Sequence, residues 1–132
     1  MAKTILIIED DKFLRELIVK KLKEEGYQAV EAVDGEEALV KVKESLPDLI
    51  LLDLILPGVD GFEVLKELRK DVKKYLPVIM LTNLDTSHFV QNAQFDDIDE
   101  YLIKSHHSPS EVVDRTIAVL KINKLLPEDI EF

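Results

Sequence analysis

The stretch Leu49-Ile50-Leu51-Leu52-Asp53-Leu54-Ile55-Leu56-Pro57-Gly58 places one carboxylate between two apolar runs. Four branched, uncharged residues in a row read as a strand buried on both faces, the pattern of a parallel sheet covered by helices. Asp53 then stands at the carboxyl end of that strand, where a buried carboxylate is costly without a counter-ion. Working outward, Thr4–Ile8 and Val78–Leu81 have the same character and read as two more central strands. Gln28–Val33 carries Glu31 in its middle and Tyr101–Ile103 is only three residues long, so both are expected at sheet edges.

Between the strands, apolar residues fall on helical stripes: Leu14, Leu17, Ile18 and Leu22; Leu39, Val42 and Leu46; Val64, Leu65, Leu68 and Val72; Val113, Ile117 and Leu120. Another helix is expected from about Thr86 to Asp96, with a displaced, irregular stripe of Phe89, Val90, Ala93 and Phe95. Five strands thus alternate with five helices. Asp34-Gly35-Glu36-Glu37, Asp60-Gly61-Phe62-Glu63 and Ser108-Pro109-Ser110-Glu111 each set a capping acceptor three residues before a glutamate, marking helix starts. Right-handed crossovers with helices on both faces make this an α/β, doubly wound sheet. Ligands of such sheets bind in the loops at the carboxyl ends of the strands.

The 132 residues fit one domain, and with 46% hydrophobic and 33% charged residues the chain is globular rather than disordered. A formal net charge of −10 repels DNA, so direct nucleic-acid binding is not expected. The absence of cysteine removes disulfides, thiolate zinc sites and cysteine nucleophiles, and suits a reducing cytosol. The opening five-residue apolar run is too short for a signal segment or a membrane span, so a cytoplasmic location without membrane contact is expected.

The strand ends offer Glu9-Asp10-Asp11, Asp53, Thr82 and Lys104. Taken singly, Asp11 and Thr82 read as helix caps and the others as solvated loop residues. Taken jointly, three clustered carboxylates need a cation, and hard oxygen ligands suit Mg²⁺, or Mn²⁺ in its place, better than zinc. His106 and His107 are adjacent and cannot both face one metal from a regular element, so with His88 they read as surface histidines. No phosphate-binding glycine loop and no G-x-S-x-G elbow occurs.

These residues carry a resemblance over roughly positions 3–122 to the receiver domains of two-component response regulators. The acidic pair Glu9 and Asp10, the run Asp53, Pro57 and Gly61, then Thr82 and Lys104 match the family's motif positions, in order and in spacing. The resemblance implies a flavodoxin-like sheet of strand order 2-1-3-4-5, a receiver domain at 1–122, and an acidic tail or helix end at 123–132. It implies that Asp53 accepts a phosphoryl group from a sensor histidine kinase or phosphotransfer protein. Glu9, Asp10, Asp53 and the backbone carbonyl of Ile55 would hold the metal. Lys104 would pair with Asp53 and then with the phosphoryl group, Thr82 would be the switch hydroxyl, and Tyr101 the coupled aromatic on the last strand. No turnover beyond its own phosphorylation and dephosphorylation is implied, and output would pass to a protein partner of unknown identity.

Some positions depart from the family pattern. Ser105 stands where proline usually follows the lysine, so a cis peptide there would be a non-proline one costing roughly 2.5 to 4 kcal/mol. Asn83 is larger than usual after Thr82. Ile55 and Leu84 are apolar where the family's side chains flank the path of a hydrolytic water, so a long-lived phosphorylated state is expected. The expected fourth helix has no Lys or Arg, which removes a charge-paired dimer of the family's kind and leaves a monomer or weak dimer. The alternatives are a receiver fold used as a phosphorylation-independent docking module, and an aspartyl-phosphate phosphatase of the haloacid-dehalogenase kind. The latter wants a second aspartate where Ile55 stands.

Overall fold

In the computed structural model, residues 2–53, 55–56, 59–70, 72, 75–83 and 98–123 are described. Their elements run β1 (Thr4–Ile8), α1 (Lys12–Glu24), β2 (Gln28–Ala32), α2 (Gly35–Glu44), β3 (Leu49–Leu52), β4 (Ile55–Leu56), β5 (Val59–Asp60), α3 (Gly61–Arg69), β6 (Val78–Thr82), β7 (Glu100–Ile103), a 3-10 turn (Lys104–His106) and α4 (Pro109–Asn123). The main sheet has the order β2-β1-β3-β6-β7 with every neighbouring pair parallel, which is the expected 2-1-3-4-5 arrangement. The two strands expected at the edges, β2 and β7, are at the edges.

Residue parity divides the core between the two faces of the sheet, as a strand's alternating side chains require. Ile5, Ile7, Leu49, Leu51, Ile79 and Leu81 pack with Ile18 and Leu22 of α1 and with Val112, Val113 and Leu120 of α4. Leu6, Ile8, Ile50, Leu52, Val78 and Met80 pack with Ala38 of α2 and with Val64, Leu65 and Leu68 of α3. Asp34 caps α2 by accepting from the Glu37 N–H at 2.9 Å. Ser108 and Glu111 form a reciprocal capping box at the start of α4. At the end of α1, Gly26 adopts φ 91°, and the N–H groups of Gly26 and Tyr27 return to the carbonyls of Lys23 and Leu22. This is a Schellman stop that turns the chain into β2.

Some expectations are adjusted and some fall outside the described residues. Among the described residues there are four α-helices and a 3-10 turn. The helix expected from about 86 to 96 lies outside the described residues, as do Leu84, His88 and the tail beyond 123. The stripe through Leu39 and Val42 does not extend to Leu46, which is 37% exposed and follows the end of α2 at Glu44. Pro47 disfavours helical backbone at the preceding residue, and Ser45 is already extended. The segment after Asp53 is partly an antiparallel ladder, with Ile55 opposite Asp60 and Leu56 opposite Val59.

Candidate functional site

Register places the site. Ile8 is opposite Leu52, so the next residues, Glu9 and Asp53, leave neighbouring strands at the same level. Between β1 and β3 the strand order reverses, since β1 lies between β2 and β3, and this is the crevice in which such sheets take ligands. Thr82 is the last residue of β6 and is opposite Ile103, so Lys104 follows one step beyond it. Four parallel strands therefore bring Glu9, Asp53, Thr82 and Lys104 to one end of the sheet.

The geometry joins three of these directly. The Lys104 ammonium lies 2.5 Å from Glu9 Oε1 and donates to Asp53 Oδ2 at 2.9 Å. Glu9 and Asp53 are only 2% and 6% exposed. Glu9 Oε2 accepts from the Asp11 N–H at 3.1 Å, and the Asp53 N–H donates to the Ile8 carbonyl at 3.0 Å. Asp10 is exposed beside them, and each of Glu9, Asp10 and Asp53 offers an oxygen within 4.8 Å of the others'. Among the described residues this is the one cluster of three metal-ligating side chains.

The electrostatics match the geometry. Burial, with Asp53 adding repulsion, pushes the Glu9 carboxyl from an ordinary 4.5 up to about 7, although Lys104 and the Asp11 N–H pull the other way. Burial works against the charge on Lys104, but its bonds to Glu9 and Asp53 prevail and raise it above its ordinary value. One half-buried ammonium thus leaves the acids short of positive charge. An all-oxygen donor set with surplus negative charge fits a hard divalent cation.

Thr82 is buried, and Tyr101 sits in the middle of β7 opposite Met80, packed against the core on the α2 and α3 side. Burial raises the Tyr101 phenol. Ile55 opens β4 two residues after Asp53. Asn83 is exposed immediately after Thr82. The peptide after Lys104 is trans, within the 3-10 turn. His106 is exposed, while His107 is half-buried with Nδ1 3.6 Å from Glu111 Oε2. Asp11 does cap α1, accepting from the Leu14 N–H at 3.1 Å.

Sequence reasoning missed Arg15. It is buried on the inner face of α1, and its Nη1 donates to the Glu9 carbonyl at 2.9 Å while Nε donates to Glu31 Oε1 at 3.0 Å. The signal was present, because Arg15 lies three, four and seven residues before Ile18, Val19 and Leu22, which places it on the buried stripe.

Comparison with known proteins agrees with this geometry. Residues 5–116 match the family described as the response regulator receiver domain. The alkaline phosphatase synthesis transcriptional regulatory protein PhoP of Bacillus subtilis is 38% identical over 132 residues, covering 95% of this chain and 51% of its own length. The phosphate regulon transcriptional regulatory protein PhoB of Escherichia coli is 37% identical over 122 residues, covering 92% and 53%. The chain spans about half the length of the curated relatives it matches. Among solved structures, the response regulator protein TrrA of Thermotoga maritima, in complex with Mg²⁺ and BeF, superposes with a TM-score of 0.74. It is 37% identical, with 89% of this chain and 98% of that one covered. A fold of parallel strands in the order 2-1-3-4-5, an acidic cluster facing a lysine across it, and a family match along most of its length make this chain a member of the response regulator receiver domain family.

Proposed function

We propose that the chain is a phosphorylation-switched signalling receiver whose phosphoacceptor is Asp53. The observation that carries this reading is the convergence of Glu9, Asp10 and Asp53 at the strand ends, with the Lys104 ammonium bound to Glu9 and Asp53. An oxygen of the Asp53 carboxylate attacks the phosphorus of a phosphohistidine on a sensor kinase or phosphotransfer protein. The P–N bond breaks, and its electron pair stays with the imidazole nitrogen. Lys104 holds Asp53 in place beforehand and then follows the charge onto a phosphoryl oxygen, a charge-assisted hydrogen bond. The Thr82 hydroxyl donates to another phosphoryl oxygen, and Tyr101, on the neighbouring strand, follows its movement.

Mg²⁺, or Mn²⁺ in its place, held by Glu9, Asp10, Asp53 and the Ile55 carbonyl, supplies positive charge against the phosphoryl oxygens. The solved relative bound to Mg²⁺ and BeF supports that assignment. The chain turns over no substrate but its own aspartyl phosphate. Its surplus of acidic residues favours a protein output partner over direct DNA contact, and repulsion between copies favours a monomer or weak dimer. A cytoplasmic setting accords with the cysteine-free composition. Among the described residues, no helix is long and apolar enough to cross a membrane.

Phosphoryl loading tests the reading. Incubation with Mg²⁺ and acetyl phosphate or phosphoramidate should add one phosphoryl group by intact mass. Asp53→Asn should add none, and stoichiometric labelling of that variant would move the acceptor elsewhere.

A further inference from the structure

We propose that Arg15 is a positioning residue for the divalent-cation site, fixing the peptide between Glu9 and Asp10 and tying it to Glu31 on the sheet edge. The proposal rests on the cation-dependent reading above and adds to it a residue that touches neither cation nor phosphoryl group. Arg15 is 8% exposed and is the one buried basic side chain on a helix among the described residues. A guanidinium on an apolar stripe is costly to bury unless its donors are matched.

Two of its donors are matched with direction. Nη1 binds the Glu9 carbonyl and Nε binds the Glu31 carboxylate, which is 41% exposed at its side chain. The guanidinium is planar, so the two bonds orient each other. The Glu9 carbonyl belongs to the same rigid peptide plane as the Asp10 nitrogen and Cα. A carbonyl held by Arg15 therefore sets the direction in which the chain leaves toward Asp10.

The other contacts of Glu9 act on its other groups. Its N–H is bound to the Ala32 carbonyl, and its carboxylate to the Asp11 N–H and Lys104. Those contacts fix the entry to Glu9, its side chain and the peptide after Asp10, while the peptide before Asp10 is held by Arg15. The exit toward Asp10 is held at the carbonyl. Asp10 is exposed and could swing away from Glu9 and Asp53, so the cation affinity depends on this anchor.

The experiment is a Mg²⁺ titration of the whole chain by calorimetry, with unfolding midpoints measured in chelator. Arg15→Met should weaken Mg²⁺ binding about tenfold, in line with partners that orient metal ligands from behind. Arg15→Lys, which can reach one acceptor only, should fall between Met and the parent. Glu31→Ala, at an exposed edge, should weaken binding by a smaller factor while folding normally. Variants that lose stability in chelator but keep the parent's Mg²⁺ affinity would overturn the proposal, because a purely structural role predicts that pattern. If Arg15→Met does not fold, Glu31→Ala and Arg15→Lys decide in the same way. A parent that binds no Mg²⁺ would overturn the cation reading and this proposal with it, whereas a parent that binds and variants that match it would overturn this proposal alone.

Discussion

Glu9 concentrates the site's electrostatic tension in one side chain. Its folded value of about 7 lies above its ordinary 4.5, so in that window the folded chain holds a proton that the unfolded chain has released. Stability from this group is greatest below the ordinary value and falls as pH rises through about 7, by on the order of 3 kcal/mol in all. In chelator, the parent should therefore lose stability from about pH 5 to 8 relative to Glu9→Gln, read as urea midpoints across that range. Parallel profiles for the two proteins would refute the assignment. Asp53→Asn removes one of the two buried carboxylates that share Lys104 and leaves the Lys104 to Glu9 pair intact. Its unfolding midpoint in chelator should equal or exceed the parent's, and a clearly lower one would show that the Asp53 to Lys104 bond outweighs the repulsion.

Elements differ in how openly the sequence declares them. β1, β3 and β6 are buried on both faces, so four apolar, mostly branched residues in a row identify them without help from neighbours. The two-residue strands β4 and β5 have no periodicity to read and exist because they pair with each other. Leu46 matched the stripe of α2 by spacing, but the following proline ends the helix first. Arg15 was legible as a position and illegible as a role, since its partners Glu9 and Glu31 meet it only after β1 and β2 have paired. The caps at Asp34 and Ser108 were read correctly because all their atoms are local. Ser108→Ala should cost about 1 kcal/mol by chemical denaturation, and no change would mean that the turn after Lys104 holds α4 unaided. If Asp53 is the acceptor as proposed, an apolar residue two positions on, at the start of β4, cannot orient a water toward the acyl phosphate. Ile55→Asn should speed phosphoryl decay on the order of tenfold after donor removal, about 1.4 kcal/mol of barrier, and an unchanged rate would defeat the shielding idea.

At the scale of the molecule, the site exists only because the parallel sheet is complete. Glu9 and Asp10 leave β1, Asp53 leaves β3 and Lys104 follows β7, and no short segment of the chain contains all of them. This is why the candidate residues could be named from sequence, each ending its own apolar run, while their contacts could not. At the opposite ends of the strands, acids serve the backbone instead: Asp48 accepts from the Thr4 N–H and Asp99 from the Val78 N–H. A cation held by Glu9, Asp10 and Asp53 binds the folded chain and not the unfolded one, where those carboxylates are scattered. Saturation to a hundred times Kd should therefore raise global stability by about 2.7 kcal/mol. For a domain of this size that is a rise in Tm of about 10 °C. The double variant Glu9→Gln with Asp10→Asn should lose the rise, since two of three charged ligands are gone while the sheet is untouched. Thermal unfolding across a Mg²⁺ series is the measurement, and a double variant that responds as the parent does would reduce the acid pair to a feature of the loop surface.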